Sequence, residues 1–146
     1  MDIERLVGCL LAEHRTRDPL EICSNLDIAV FRRQLLGFRG LMQTVDGVTV
    51  IQIAEELTER AAAFVCAHEL GHFLLHSGLN RVFLDSHTLF APSKFENRAD
   101  KFAFTLLYGA PPLLREDTLY DWQIADCLNI DAKDVGGRLI ELEIFY

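Results

Sequence analysis

The chain has 146 residues, half of them apolar and a quarter charged, and its 14 Lys and Arg stand against 22 Asp and Glu for a formal charge of -8. That balance suits one soluble domain burying about two-thirds of its unfolded surface, and it excludes disorder, collagen-like repeats and a solenoid. An acidic chain offers phosphate backbones no bulk attraction, so no direct nucleic-acid binding is expected, and no apolar run approaches the roughly 20 residues that cross a bilayer.

Asp2 and Glu4 stand where a secretory signal needs a basic start. Cys9, Cys23, Cys66 and Cys127 are scattered with no C-x-x-C pair, so they read as free thiols, small buried hydrophobes in a reducing compartment. Both features point to the cytoplasm. Apolar residues at Ile3, Leu6, Val7, Leu10 and Leu11 fall on one helical stripe, which predicts a first helix over 2–14. Asp18-Pro19-Leu20-Glu21 supplies a cap, a proline at the first helical position and a glutamate three residues after the cap, so a short second helix runs to about Asn25. From Ile28 to Ile53 the period changes, with Asp46-Gly47 as a hairpin turn, which predicts a small antiparallel sheet of about three strands.

Thr58 can cap a long helix that ends near Ser77-Gly78, and Pro92-Ser93 opens another ending near Tyr108-Gly109, before Pro111-Pro112. Leu119 to Leu128 and Asp131 to about Ile144 read as two closing helices, with Asn129 as C-cap of the first and Asp131 as N-cap of the second. Gly136-Gly137 weakens the last by roughly 1 kcal/mol per glycine if it lies in the interior. No linker interrupts this order, so the expectation is a single α+β domain over 1–146.

The chemistry concentrates on the two longest helices. His68-Glu69-Leu70-Gly71-His72 places two imidazoles four residues apart, on one helical face, where both can aim at one ion. With 5 His in the chain, a chance H-E-x-x-H match is on the order of one in a hundred. Zinc takes about four ligands and a catalytic site keeps one position for water, so a third protein ligand is needed. Glu96 is the expected third ligand, one helix later, with Asp100 a turn beyond it and the small Ala99 and Ala103 beside it. Asp100 is then placed to accept a hydrogen bond from the outer ring nitrogen of His68 rather than His72. Glu69 is the expected acid/base, taking a proton from the activated water and passing it to the leaving amine.

Other polar residues have plainer readings. His76 continues the stripe but lies about 12 Å along the helix from His68, too far to share the ion with both histidines. Leu75 and Gly78 replace the glycine and histidine that a metzincin pattern requires. An oxyanion donor is not identified: His87 reads first as an exposed loop histidine and Tyr108 as a packing tyrosine. Phe95, Phe102, Phe104 and Leu106 read as core, and Arg98 and Lys101 as a solvated face.

His68-Glu69-Leu70-Gly71-His72-Phe73-Leu74-Leu75-His76 followed by Glu96-Asn97-Arg98-Ala99-Asp100-Lys101-Phe102-Ala103 resembles the ImmA/IrrE metallopeptidases. The likeness extends from about Pro19-Leu20-Glu21-Ile22, through Gly37-Phe38-Arg39-Gly40, to Leu107. It implies a gluzincin-like fold, with His68, His72 and Glu96 holding one zinc ion and Glu69 as acid/base. It further implies a cytoplasmic regulatory protease that cuts a helix-turn-helix repressor of a phage or mobile element, the repressor supplying the DNA contact. Two other functions fit the residues: a zinc-stabilised module that sequesters a regulator without cutting it, and a hydrolase of small amides.

Overall fold

The computed structural model describes residues 2–76, 92–114, 118–131 and 142–145. In chain order the elements are α1 (Ile3–His14), α2 (Pro19–Asn25), β1 (Ala29–Arg33), β2 (Gly40–Val45), β3 (Val48–Ala54), α3 (Glu59–His76), α4 (Pro92–Tyr108), α5 (Asp121–Leu128) and β4 (Leu142–Phe145). The α+β class that the periodicities predict is the class adopted.

Each boundary has a local cause. The Asp2 carboxylate accepts from the amides of Glu4 and Arg5, Asp18 accepts from that of Leu20 with Pro19 as first helical residue, and Thr58 Oγ1 accepts from that of Ala61 at 3.1 Å. All three satisfy amides that a helix start leaves without an intrahelical partner. Asn129 closes α5 in the left-handed conformation, with φ 59°. Asp46 and Gly47 have φ of 52° and 80°, the pair of positive values that a type I′ turn demands, so the β2–β3 hairpin keeps the twist of its strands.

The sheet has the order β1-β3-β2-β4 and is mixed, which corrects the antiparallel sheet of about three strands. β2 and β3 form the expected antiparallel hairpin, Gly40 opposite Ile53 and Val45 opposite Val48. β1 instead runs parallel to β3, Ala29 opposite Val50, because residues 34–39 carry the chain past β3 before β2 begins. The Arg32 guanidinium holds that arrangement, donating to the carbonyls of Glu55 and Leu57 at 3.0 and 2.8 Å, where the chain leaves β3. β4 lies parallel to β2, Leu41 opposite Leu142. The closing helix carried to about Ile144 is therefore corrected at its end: the backbone edge of β2 takes Leu142-Glu143-Ile144-Phe145 as a strand. Gly136-Gly137 lies outside the described residues.

α3 is the centre of the molecule. From Ala61 to His72 every residue except Ala63 is buried, the profile of a helix covered on all sides rather than on one stripe. Met42, Ile51 and Ile53 of the sheet, Ile22 and Cys23 of α2, and Phe102 and Leu106 of α4 are fully buried with Phe64 and Leu70 of α3. Phe95 and Phe104 are partly buried against that core. Lys101, expected on a solvated face, is only 8 % exposed, because α1 crosses α4 there and Glu4 Oε1 receives its Nζ at 3.3 Å. Arg17 ties the other end of α4, donating to the carbonyls of Thr105 and Leu106 in its last turn at 3.2 and 2.8 Å.

Candidate metal centre

His68 and His72, one turn apart on α3, are 1 % and 2 % exposed. Their Nε2 atoms lie 3.1 Å apart. Glu96 reaches both from α4, with Oε2 2.9 Å from His68 Nε2 and Oε1 3.0 Å from His72 Nε2. Two helices thus bring three ligand atoms within 4.8 Å of one another. Asp100, one turn beyond Glu96, places Oδ1 2.8 Å from His68 Nδ1.

That last contact decides the chemistry of the cluster. An ionised carboxylate only accepts, so Nδ1 of His68 donates and its Nε2 is left to present a lone pair to His72 and Glu96. Buried electron-pair donors turned on one point are favourable only with positive charge between them. A tetrahedral ion with bonds of ~2.0–2.1 Å separates its ligand atoms by about 3.3 Å, close to the 2.9–3.1 Å found here. His68, His72 and Glu96 therefore fit a divalent ion of mixed nitrogen and oxygen preference.

The ligands meet because α3 and α4 approach closely. A Cβ on Gly71 would fall 2.8 Å from Phe102 Cδ1, so hydrogen is all that fits between the helices there. Ala99 and Ala103, the small residues beside Glu96, are fully buried, but the tightest point is the glycine between the two histidines. The signal was present in Gly71 itself, the smallest residue in the H-E-x-x-H motif.

Glu69 is fully buried, and its carboxylate lies against the first residue of β2, where a Cβ on Gly40 would stand 3.2 Å from Oε1. This neighbour also went unread in the sequence; its signal is a glycine at a strand start with no turn to serve. His76 belongs to α3 by its backbone, its side chain lying outside what is described, as does all of His87. Tyr108 ends α4, about 18 Å along the helix from Glu96, where its ring packs 5.2 Å from Phe104 and takes the Arg60 guanidinium at 5.3 Å. Burial raises its hydroxyl above the ordinary tyrosine value. Away from the cluster, Cys23 and Cys66 place their sulfurs 4.0 Å apart, and all four cysteines are free, Cys9 exposed and the others buried.

An H-E-x-x-H helix whose histidines meet a glutamate from a second helix, beside a small mixed sheet, is the arrangement of a zincin-like metallopeptidase. The sequence profile of the IrrE N-terminal-like domain, a peptidase family, matches residues 23–132, and the chain belongs to that family. "Uncharacterized immunity region protein 2" of Bacillus phage phi105 is 30% identical over 88% of this chain and 75% of its own length. "Metallopeptidase ImmA" of Bacillus subtilis (strain 168) is 33% identical over 72% of this chain and 62% of its own length. No solved structure matches. Among the described residues no helix is long and apolar enough to cross a membrane.

Proposed function

We propose that the chain is a zinc-dependent endopeptidase of the cytoplasm, acting as one domain, which makes limited, site-specific cuts in a regulatory protein. Its substrate on this reading is a helix-turn-helix repressor of a phage or mobile element. The observation that carries the reading is the convergence of two buried imidazoles and a half-buried glutamate beside a buried carboxylate. The two relatives, one named for an immunity region and one a metallopeptidase, support the substrate class. The formal charge of -8 suits a protein that leaves contact with DNA to its substrate.

His68, His72 and Glu96 would hold the ion, and Asp100 would fix the tautomer and orientation of His68. When bound, zinc supplies Lewis-acid chemistry, bringing the pKa of water to roughly 7 and polarising a carbonyl. Glu69 does the proton work: its carboxylate accepts a proton from the attacking water and delivers it to the nitrogen of the departing amine.

Zinc stoichiometry and cleavage of any helix-turn-helix repressor encoded by a neighbouring gene, followed by mass spectrometry, test the reading. Glu69→Gln retains zinc and lowers the cleavage rate roughly 10²–10⁴-fold, the usual share of a general base. Undiminished cleavage in that variant removes Glu69 from the mechanism. An intact repressor in a stable complex with the zinc-loaded wild type makes the protein a sequestering module.

A further inference from the structure

We infer that Gly40 is a positioning residue for Glu69: the missing side chain at the start of β2 is the space in which the acid/base carboxylate is held. This rests on the reading of Glu69 given above. Gly40 pairs with Ile53 inside the sheet, and its φ is not among the positive ones, so the backbone places no demand for glycine there. The demand is for room. A Cβ would lie 2.6 Å from Val65 Cγ1, 3.2 Å from Glu69 Oε1 and 3.5 Å from Glu69 Cγ.

Val65 and Glu69 are one turn apart on α3, so β2 crosses that face of the helix with only a hydrogen atom between. A glycine inside a strand weakens it and marks such an approach. Val65 cannot step aside, since a β-branched side chain in a helix has one strongly preferred rotamer, and it is 1 % exposed. Glu69, fully buried next to His68, is therefore confined by the strand on one side and tied to the ligand helix on the other. Any larger residue at position 40 presses on its carboxylate.

Two effects of a methyl group at position 40 must be separated, pressure on the helix through Val65 and pressure on the carboxylate, and Val65→Ala separates them. The probe is acetohydroxamate added to the zinc-loaded full chain, since a hydroxamic acid chelates the metal and yields its proton to a carboxylate beside it. Its affinity is read by calorimetry and that of zinc by chelator competition, with circular dichroism for folding. In Gly40→Ala, zinc affinity stays at the wild-type value while acetohydroxamate binding falls at least about tenfold, towards the level of Glu69→Gln, a 1 Å misplacement costing on the order of 10²-fold. Gly40→Ala/Val65→Ala keeps that defect, and Val65→Ala alone lacks it. With the repressor as substrate Gly40→Ala and the double variant lower kcat and leave KM, whereas Val65→Ala alone leaves both.

Wild-type acetohydroxamate binding in Gly40→Ala overturns the inference. So does full recovery in the double variant, which would make Gly40 a helix-packing residue, or a parallel loss of zinc. Should Gly40→Ala fail to fold, the double variant decides alone. A Glu69→Gln protein that binds acetohydroxamate as the wild type does sinks the acid/base reading, and this inference with it.

Discussion

Replacing Gly71 by alanine adds one methyl group at the narrowest point between α3 and α4. The new Cβ meets Phe102 Cδ1 at 2.8 Å, Cγ at 3.2 Å and Cβ at 3.3 Å, where ordinary contact begins at 3.4 Å, so the nearest pair must open by 3.4 - 2.8 = 0.6 Å. Turning the ring does not relieve this, because Phe102 is fully buried and its own Cβ is among the crowded atoms; α4 itself has to retreat. Overpacking of this kind costs about 1–3 kcal/mol, and the better helix propensity of alanine returns about 1 kcal/mol. A net loss of ~1 kcal/mol lowers the Tm by about 2–4 °C.

The larger consequence is for the proposed zinc site, since Glu96 rides on α4 and the histidines on α3. Coordination distances hold within about 0.2 Å, so an opening of that size weakens zinc by roughly 10–100-fold, the range seen when the support of a ligand is disturbed. Chelator competition on Gly71→Ala, Phe102→Leu and the double variant measures this, and the double variant recovers affinity with a coupling of about 0.5–3 kcal/mol. A zinc affinity unchanged in Gly71→Ala, with no coupling in the cycle, refutes the view that this contact sets the helix spacing at the ligands.

Asp100→Asn leaves the ligands in place but replaces the charge that orients His68 through Nδ1; zinc affinity drops about 10–100-fold by the same competition assay. Arg17→Ala removes two charge-assisted hydrogen bonds to the last turn of α4, and thermal unfolding shows a loss of about 1–2 kcal/mol with zinc affinity retained. Burial pushes the Cys127 thiol up to about 12 from its ordinary 9.0. Above that ordinary value the unfolded chain releases a proton that the folded chain keeps, so the contribution is whole below pH 9.0 and is lost as the pH climbs towards 12. Urea titrations across that range show a steeper decline for wild type than for Cys127→Ala; equal slopes would remove the thiol as the cause.

Local sequence accounts for much of this molecule. Asp18-Pro19, Thr58, Asp46-Gly47 and Asn129 act on their own neighbours, which is why helix starts, the hairpin turn and a C-cap could be placed without the fold. The four-residue spacing of His68 and His72, and the same spacing of Glu96 and Asp100, are likewise properties of one helix at a time. The mixed sheet was not legible, because pairing β1 with β3 rather than β2 depends on where residues 34–39 carry the chain. Nor was β4, since Leu142-Glu143-Ile144-Phe145 suits either period until the edge of β2 is beside it. Lys101 read as solvated for the same reason: α1 covers it only in the folded chain.

What the residues determined by themselves was the spacing of the candidate ligands and the helices that carry them, because hydrogen bonding to adjacent backbone and the 3.6-residue turn act over a few positions. Only the tertiary structure decided the clearances, Gly71 against Phe102 and Gly40 against Val65 and Glu69. Such distances arise from close packing between segments far apart in the chain, and a glycine in the sequence does not reveal which neighbour will occupy the space it leaves.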